Sequence, residues 1–159
     1  MEVSLFDVFD RLETTALGAA VRDSIWLFPV IEAGHLLGLA LLGGAVLVVD
    51  LRLLGLGLRA RSVTYVLDQA RPFLVGAIFV MVATGVPLLL SEALKCYFST
   101  AFWVKMGALA LALIFTFGVR NRAIRARPAL DGWLARALGV TSSGLWLTVA
   151  AAGRWIGFS

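Results

Sequence analysis

Glu32 and His35 stand three residues apart in the run FPVIEAGHLLGLALLGG, and His35 is the only histidine in the 159-residue chain. Three residues are nearly one helical turn, so a helix brings both groups to one face, about 60° apart. Ionisable groups at membrane depth are rare and mark functional sites by default. A neutral imidazole can ligate a haem iron axially while its other ring nitrogen is oriented by a partner such as Glu32. The same pair can relay protons, or hold a transition-metal ion such as Zn²⁺ or Cu²⁺.

Other residues can complete such a site. Met81, about ten residues from the outer end of its helix, lies at a depth comparable to His35 and can serve as a second iron ligand. A second copy of the chain can instead supply its own His35 across a two-fold axis. Lys105 and Arg154, near the outer ends of the third and fourth helices, can pair with haem propionates, although lysine also snorkels and Arg154 beside Trp155 also suits an interface anchor. Gly38 continues the His35 face and forms a small-xxx-small pair with Gly34. That notch admits another helix or a planar cofactor. A purely structural reading uses the same residues: Glu32 near a helix start, stabilised by the dipole and bonded to a neutral His35, with glycines for packing.

These residues are embedded in a chain that is 60% hydrophobic and 15% charged, against about a quarter charged for soluble proteins. Mean hydropathy is +0.93. Four apolar segments, 25–54, 71–90, 102–119 and 134–156, can each cross a hydrocarbon core of about 30 Å. No ten-residue alternation suggests a β-barrel, and helices are the other way to satisfy a backbone in lipid. The expected fold is all-α: an integral membrane four-helix up-down bundle (24–159) with an N-terminal amphipathic interfacial helix in an arm (1–23). In that arm Ser4 and Asp7 have capping-box spacing, and Leu5, Phe9, Leu12 and Ala16 share a face. The arm can lie on the membrane surface or cover the bundle as a lid.

Nine of the fourteen Lys and Arg residues flank the first and third loops, namely Arg52, Arg59, Arg61, Arg71, Arg120, Arg122, Arg125, Arg127 and Arg136. The arm carries two, against five acids. The positive-inside rule puts those loops in the cytoplasm of a bacterial inner membrane and both termini on the periplasmic side. The net charge of +4 is thus a topology and anionic-lipid signal rather than a nucleic-acid surface. Trp26, Trp103, Trp133 and Trp155 fall near the expected interfaces. Pro87 predicts a kink near Gly85. Asp50 and Arg52, at the cytoplasmic end of the first span, are structural candidates, Asp50 pairing for instance with Arg120 or Arg122. Lone Cys96 offers neither an intramolecular disulfide nor a metal cluster. The acidic start lacks a signal-peptide pattern. There is no phosphate loop, no serine–histidine–acid set and no repeat that supports an inverted-repeat transporter.

The pattern E-x-x-H, then G-x-x-L-x-G-G, then VDLRLLGLG resembles an uncharacterised family of small bacterial four-helix membrane proteins. The matching residues are Glu32, His35, Gly38, Asp50, Leu51, Arg52, Leu53, Leu54 and Gly55. FWVKMGALALALIFTFGVRNR resembles that family's third helix, so the resemblance covers most of the chain. It implies a fold and a location without an established activity. A looser similarity links the chain to the membrane domains of copper-resistance proteins, which are helical bundles with several intramembrane histidines.

The leading expectation is a small inner-membrane protein, not an enzyme on its own, in which His35 and Glu32 bind b-type haem or a metal ion for electron transfer. A homo-oligomer or larger membrane complex, and a quinone or periplasmic redox partner, would complete it. A non-catalytic accessory or assembly subunit, and a small proton-coupled or metal-ion permease, are the alternatives.

Overall fold

The computed structural model describes residues 4–127 and 130–157. Two short helices, α1 (Leu5–Glu13) and α2 (Ala16–Asp23), precede the long α3 (Leu27–Leu54) and α4 (Val63–Ser91). A short α5 (Ala93–Phe98) leads into α6 (Thr100–Ala126), whose stretch Ile114–Arg120 is π-helical, and α7 (Gly132–Ile156) follows. No strand occurs among the described residues. Helices α3, α4, α6 and α7 hold 28, 29, 27 and 25 residues and are each apolar enough to cross a membrane. At about 1.5 Å per residue even the shortest exceeds a hydrocarbon core of about 30 Å. This is the all-α four-helix bundle of a multi-pass membrane protein.

Local signals set the helix ends. Pro29 sits in the first turn of α3, where its missing N–H costs nothing, and Ser24 Oγ accepts from the Leu27 N–H at 3.1 Å. Gly55, at φ 74°, ends that helix in the left-handed conformation. Ser62 Oγ accepts from the Tyr65 N–H at 3.2 Å and starts α4.

Three boundaries differ from the sequence expectation. Helix α4 begins at Val63, eight positions before 71, so Arg71 and Pro72 lie inside it rather than beside a loop. Its other end, Ser91, is one residue from the expected 90, with Pro87 inside the helix. The third span continues to Ala126 instead of ending near 119. The arm is two helices broken at Thr14 and Thr15, because Thr15 Oγ1 accepts from the Gly18 N–H and caps a new helix. The capping box at Ser4 and Asp7 is formed, with both bonds present.

The arm packs across one end of the bundle. Phe9 sits among Tyr97, Phe102 and Trp103 with ring centroids 5.4, 6.1 and 5.8 Å away. Glu13 Oε2 accepts from the Leu94 N–H at 2.6 Å, capping α5. Arg22 donates to the Ser91 carbonyl at 3.4 Å and lies 3.6 Å from the Glu13 carboxylate. Leu5, Phe6 and Leu17 remain exposed, an apolar outer surface on this lid.

Inside the bundle, small residues let the backbones approach. Ala77 and Ala112 are fully buried and share one core cluster with Ala45 and Ala108, while Ala70 and Ala135 lie in another. Helix α3 packs on both α4 and α7, and α7 packs on α6. At the end opposite the arm, Arg52 Nε donates to the Arg61 carbonyl at 2.7 Å, and Arg52 Nη1 is 3.5 Å from Asp131. Arg52 therefore ties the first and third loops to one end.

Candidate functional site

His35 lies about 12 Å along the α3 axis from Leu27 and is half-buried against α4. Its Nδ1 is 2.8 Å from Thr84 Oγ1. The single Thr84 hydroxyl proton goes to the Val80 carbonyl at 2.7 Å, the usual back-bond of a helical threonine. With that proton on the carbonyl, Thr84 Oγ1 accepts from Nδ1–H and Nε2 keeps its lone pair. The ring is seated on Gly85, where an added Cβ would stand 3.2 Å from His35 Cε1. That glycine, two residues before Pro87, is the floor of the histidine's berth.

Glu32 does not play the orienting part that its spacing suggests. It is exposed on α3, in the second turn, beyond the free amides of the helix start. Thr84 holds the ring in its place. The Gly34–Gly38 notch is also filled from within the chain. A Cβ on Gly38 would lie 2.9 Å from Val80 Cγ1 and 3.3 Å from Met81 Sδ, and one on Gly34 would lie 3.6 Å from Thr84 Cγ2. The notch therefore receives α4, leaving no slot there for a planar group. Val80 and Met81 fill the Gly38 hollow, about one turn before Thr84 along α4.

Lys105 of α6 is within electrostatic reach of His35. Its side chain runs along Gly153, where an added Cβ would be 3.6 Å from Nζ. Arg154 is exposed near the end of α7. Cys96, in α5 outside the spans, has its thiol pushed up by burial and then by the nearby Glu92 charge, with Lys105 and Lys95 opposing.

A second polar centre lies toward the other end. Arg120 Nη1 is 2.6 Å from Asp50 Oδ1, and neither side chain is exposed. Arg120 Nη1 also donates to Ser142 Oγ at 3.0 Å, and Ser143 Oγ donates to Asp50 Oδ2 at 3.1 Å. Beside it, Trp146 Nε1 donates to Thr116 Oγ1 at 3.0 Å across α7 and α6. Asp50 thus takes Arg120, one of its two candidate partners, and the pair lies within the bundle rather than at a loop. Two serine hydroxyls and the Asn121 side chain, which accepts from Arg120 Nε at 3.3 Å, supply most of the hydrogen bonding that a charge pair this dry needs, and Arg120 Nη2 is left buried without a partner. The π turn Ile114–Arg120 delivers Arg120 and Thr116 to this layer, a frequent use of such turns. Ser142 and Thr84 carry neutral hydroxyls that no charge or spacing rule flags. Their presence in apolar helices is the one signal that could have found them.

Among the described residues no three His, Cys, Asp or Glu side chains converge as a metal cage. Among the described residues the chain therefore offers the His35 imidazole toward one end, and toward the other a buried ion pair with one unpartnered guanidinium nitrogen, Arg120 Nη2.

The fold and these two centres define a multi-pass four-helix membrane protein with one unspent imidazole. The chain belongs to a family of unknown function (DUF6644), whose family model matches residues 8–159. No curated protein and no solved structure matches it.

Proposed function

We propose that this is a small bacterial inner-membrane protein in which His35 supplies one Nε2 ligand to a b-type haem or a transition-metal ion, in service of electron transfer. The observation that carries this reading is the Thr84 hydroxyl. Its back-bond to Val80 favours the Nδ1–H tautomer, which leaves Nε2 as the ligating atom. Because the inner notch is packed by Val80 and Met81, the group is shared at a surface with a second copy of the chain or a partner subunit. Lys105, within reach of His35, suits a propionate or another anionic group there. A bound haem or copper-type ion would supply a one-electron couple; the chain's part is to hold and orient the donor. The arginine-rich end faces the cytoplasm in this reading, and His35 lies in the periplasmic half.

The test is the visible spectrum and metal content of the detergent-purified protein. A Soret band or a stoichiometric metal, lost in His35→Ala and weakened in Thr84→Val, is the expected result. A colourless, metal-free protein overturns it. The same bond also favours a second reading, an accessory subunit in which His35 clamps α3 to α4. That reading is supported if His35→Ala stays cofactor-free and loses a co-purifying partner.

A further inference from the structure

We propose that the groove between α3 and α4 near the arginine-rich end is a binding site for one anionic phospholipid. The groove has a volume of about 420 Å³. Its floor is made of small residues, Ala40, Gly44, Ala45 and Ala70, so two helices that touch elsewhere leave a trough here. Leu41 and Phe73 rise on either side, both exposed on the bundle's outer face, so the trough opens toward lipid. An added Cβ on Gly44 would meet nothing within 4 Å, so the space is open. From Ala40 to Val48 the trough follows α3 for about 12 Å, enough for the upper part of an acyl chain.

The chemistry changes at one end of the groove. Arg61 lies there with its guanidinium carbon 5.2 Å from the Tyr65 ring centroid. Its backbone carbonyl is held by Arg52 Nε at 2.7 Å, which anchors the loop while leaving the Arg61 side chain exposed. Leu58, at φ 52°, and Gln69 complete this end. An apolar trough that ends in a stacked, exposed guanidinium matches an acyl chain joined to a phosphodiester. A zwitterionic lipid such as phosphatidylcholine brings the same phosphodiester, but its own ammonium offsets that charge beside the arginine, whereas an anionic lipid leaves it whole. Arg59 does not line the groove; its Nε donates to the Gly55 carbonyl.

Native mass spectrometry of the detergent-purified protein, titrated with phosphatidylglycerol and phosphatidylcholine, tests this. Wild type should retain one phosphatidylglycerol about five-fold better than phosphatidylcholine, the factor equivalent to about 1 kcal/mol for one arginine at an anionic surface. Arg61→Gln should bring the two lipids level, while Arg122→Gln, on α6, should not. Gly44→Phe should remove both adducts by filling the trough, and Gly43→Phe, equally unobstructed but outside the groove, should leave them. Absence of the adduct in wild type overturns the proposal. So does a preference that survives Arg61→Gln, or lipid retention in Gly44→Phe equal to wild type.

Discussion

At His35 a threonine on the neighbouring helix holds the ring by its Nδ1, and the residue three positions away on its own helix does not. Sequence spacing reveals neighbours within a helix, but the rotation of α4 against α3 depends on packing that no single-helix wheel contains. The Asp50–Arg120 pair was partly legible for a complementary reason. A buried carboxylate needs a cation, and few cations lie at the same depth. Removing one partner leaves an uncompensated charge, so Asp50→Ala or Arg120→Ala should each cost about 3–5 kcal/mol. Asp50→Leu combined with Arg120→Met should recover most of that loss, read as thermal unfolding in detergent. If the double variant is no better than the singles, the ion pair is not the dominant contribution at this position. Cys96 allows a pH prediction. Its raised pKa means the unfolded chain loses the thiol proton first, so its contribution to stability falls as pH rises through the ordinary thiol range. Maleimide labelling near pH 8 should accordingly be slower in the folded protein than in the denatured one.

At the level of helices, hydropathy exposes the existence of the four spans and conceals one of their starts. Residues 63–71 contain Asp68, Gln69 and Arg71, which interrupt an apolar run and hide the first turns of α4. Yet Val63, Val66, Leu67, Ala70, Leu74 and Ala77 are all buried, and their spacing is that of one helical face. The period was present in the sequence, and the average over the window erased it. The break in the arm was harder to see, because Thr15 caps α2 only once the chain has turned there. That arm depends on one contact with little tolerance: a Cβ on Gly18 would run into the Leu90 carbonyl, which is backbone and cannot step aside. Gly18→Ala should therefore loosen α2 from the end of α4, seen as faster amide exchange or proteolysis in residues 4–23. Gly43→Ala, with nothing in its way, should leave the arm as it is.

Over the whole molecule, charge separates the two ends. Arg52, Arg59, Arg61, Arg122, Arg125 and Arg127 gather at the end opposite the arm. If that end is cytoplasmic, a C-terminal alkaline phosphatase fusion should be active and a C-terminal green fluorescent protein fusion dark. The reverse pattern would place His35 in the inner half of the membrane. Between the ends lies the π turn at Ile114–Arg120, and it divides α6 into two pieces with separate angular settings. Each residue advances an α-helix by about 100°, so deleting one residue between 114 and 119 would turn everything beyond it by that much. Arg120 would swing away from Asp50, while Lys105 and the aromatic packing at the other end stayed in place. The chain thus contains a vernier: the length of one seven-residue stretch sets how its arginine-rich end is dialled relative to the end that the arm covers. A gap or insertion there in a relative would mark a change of setting rather than a change of fold.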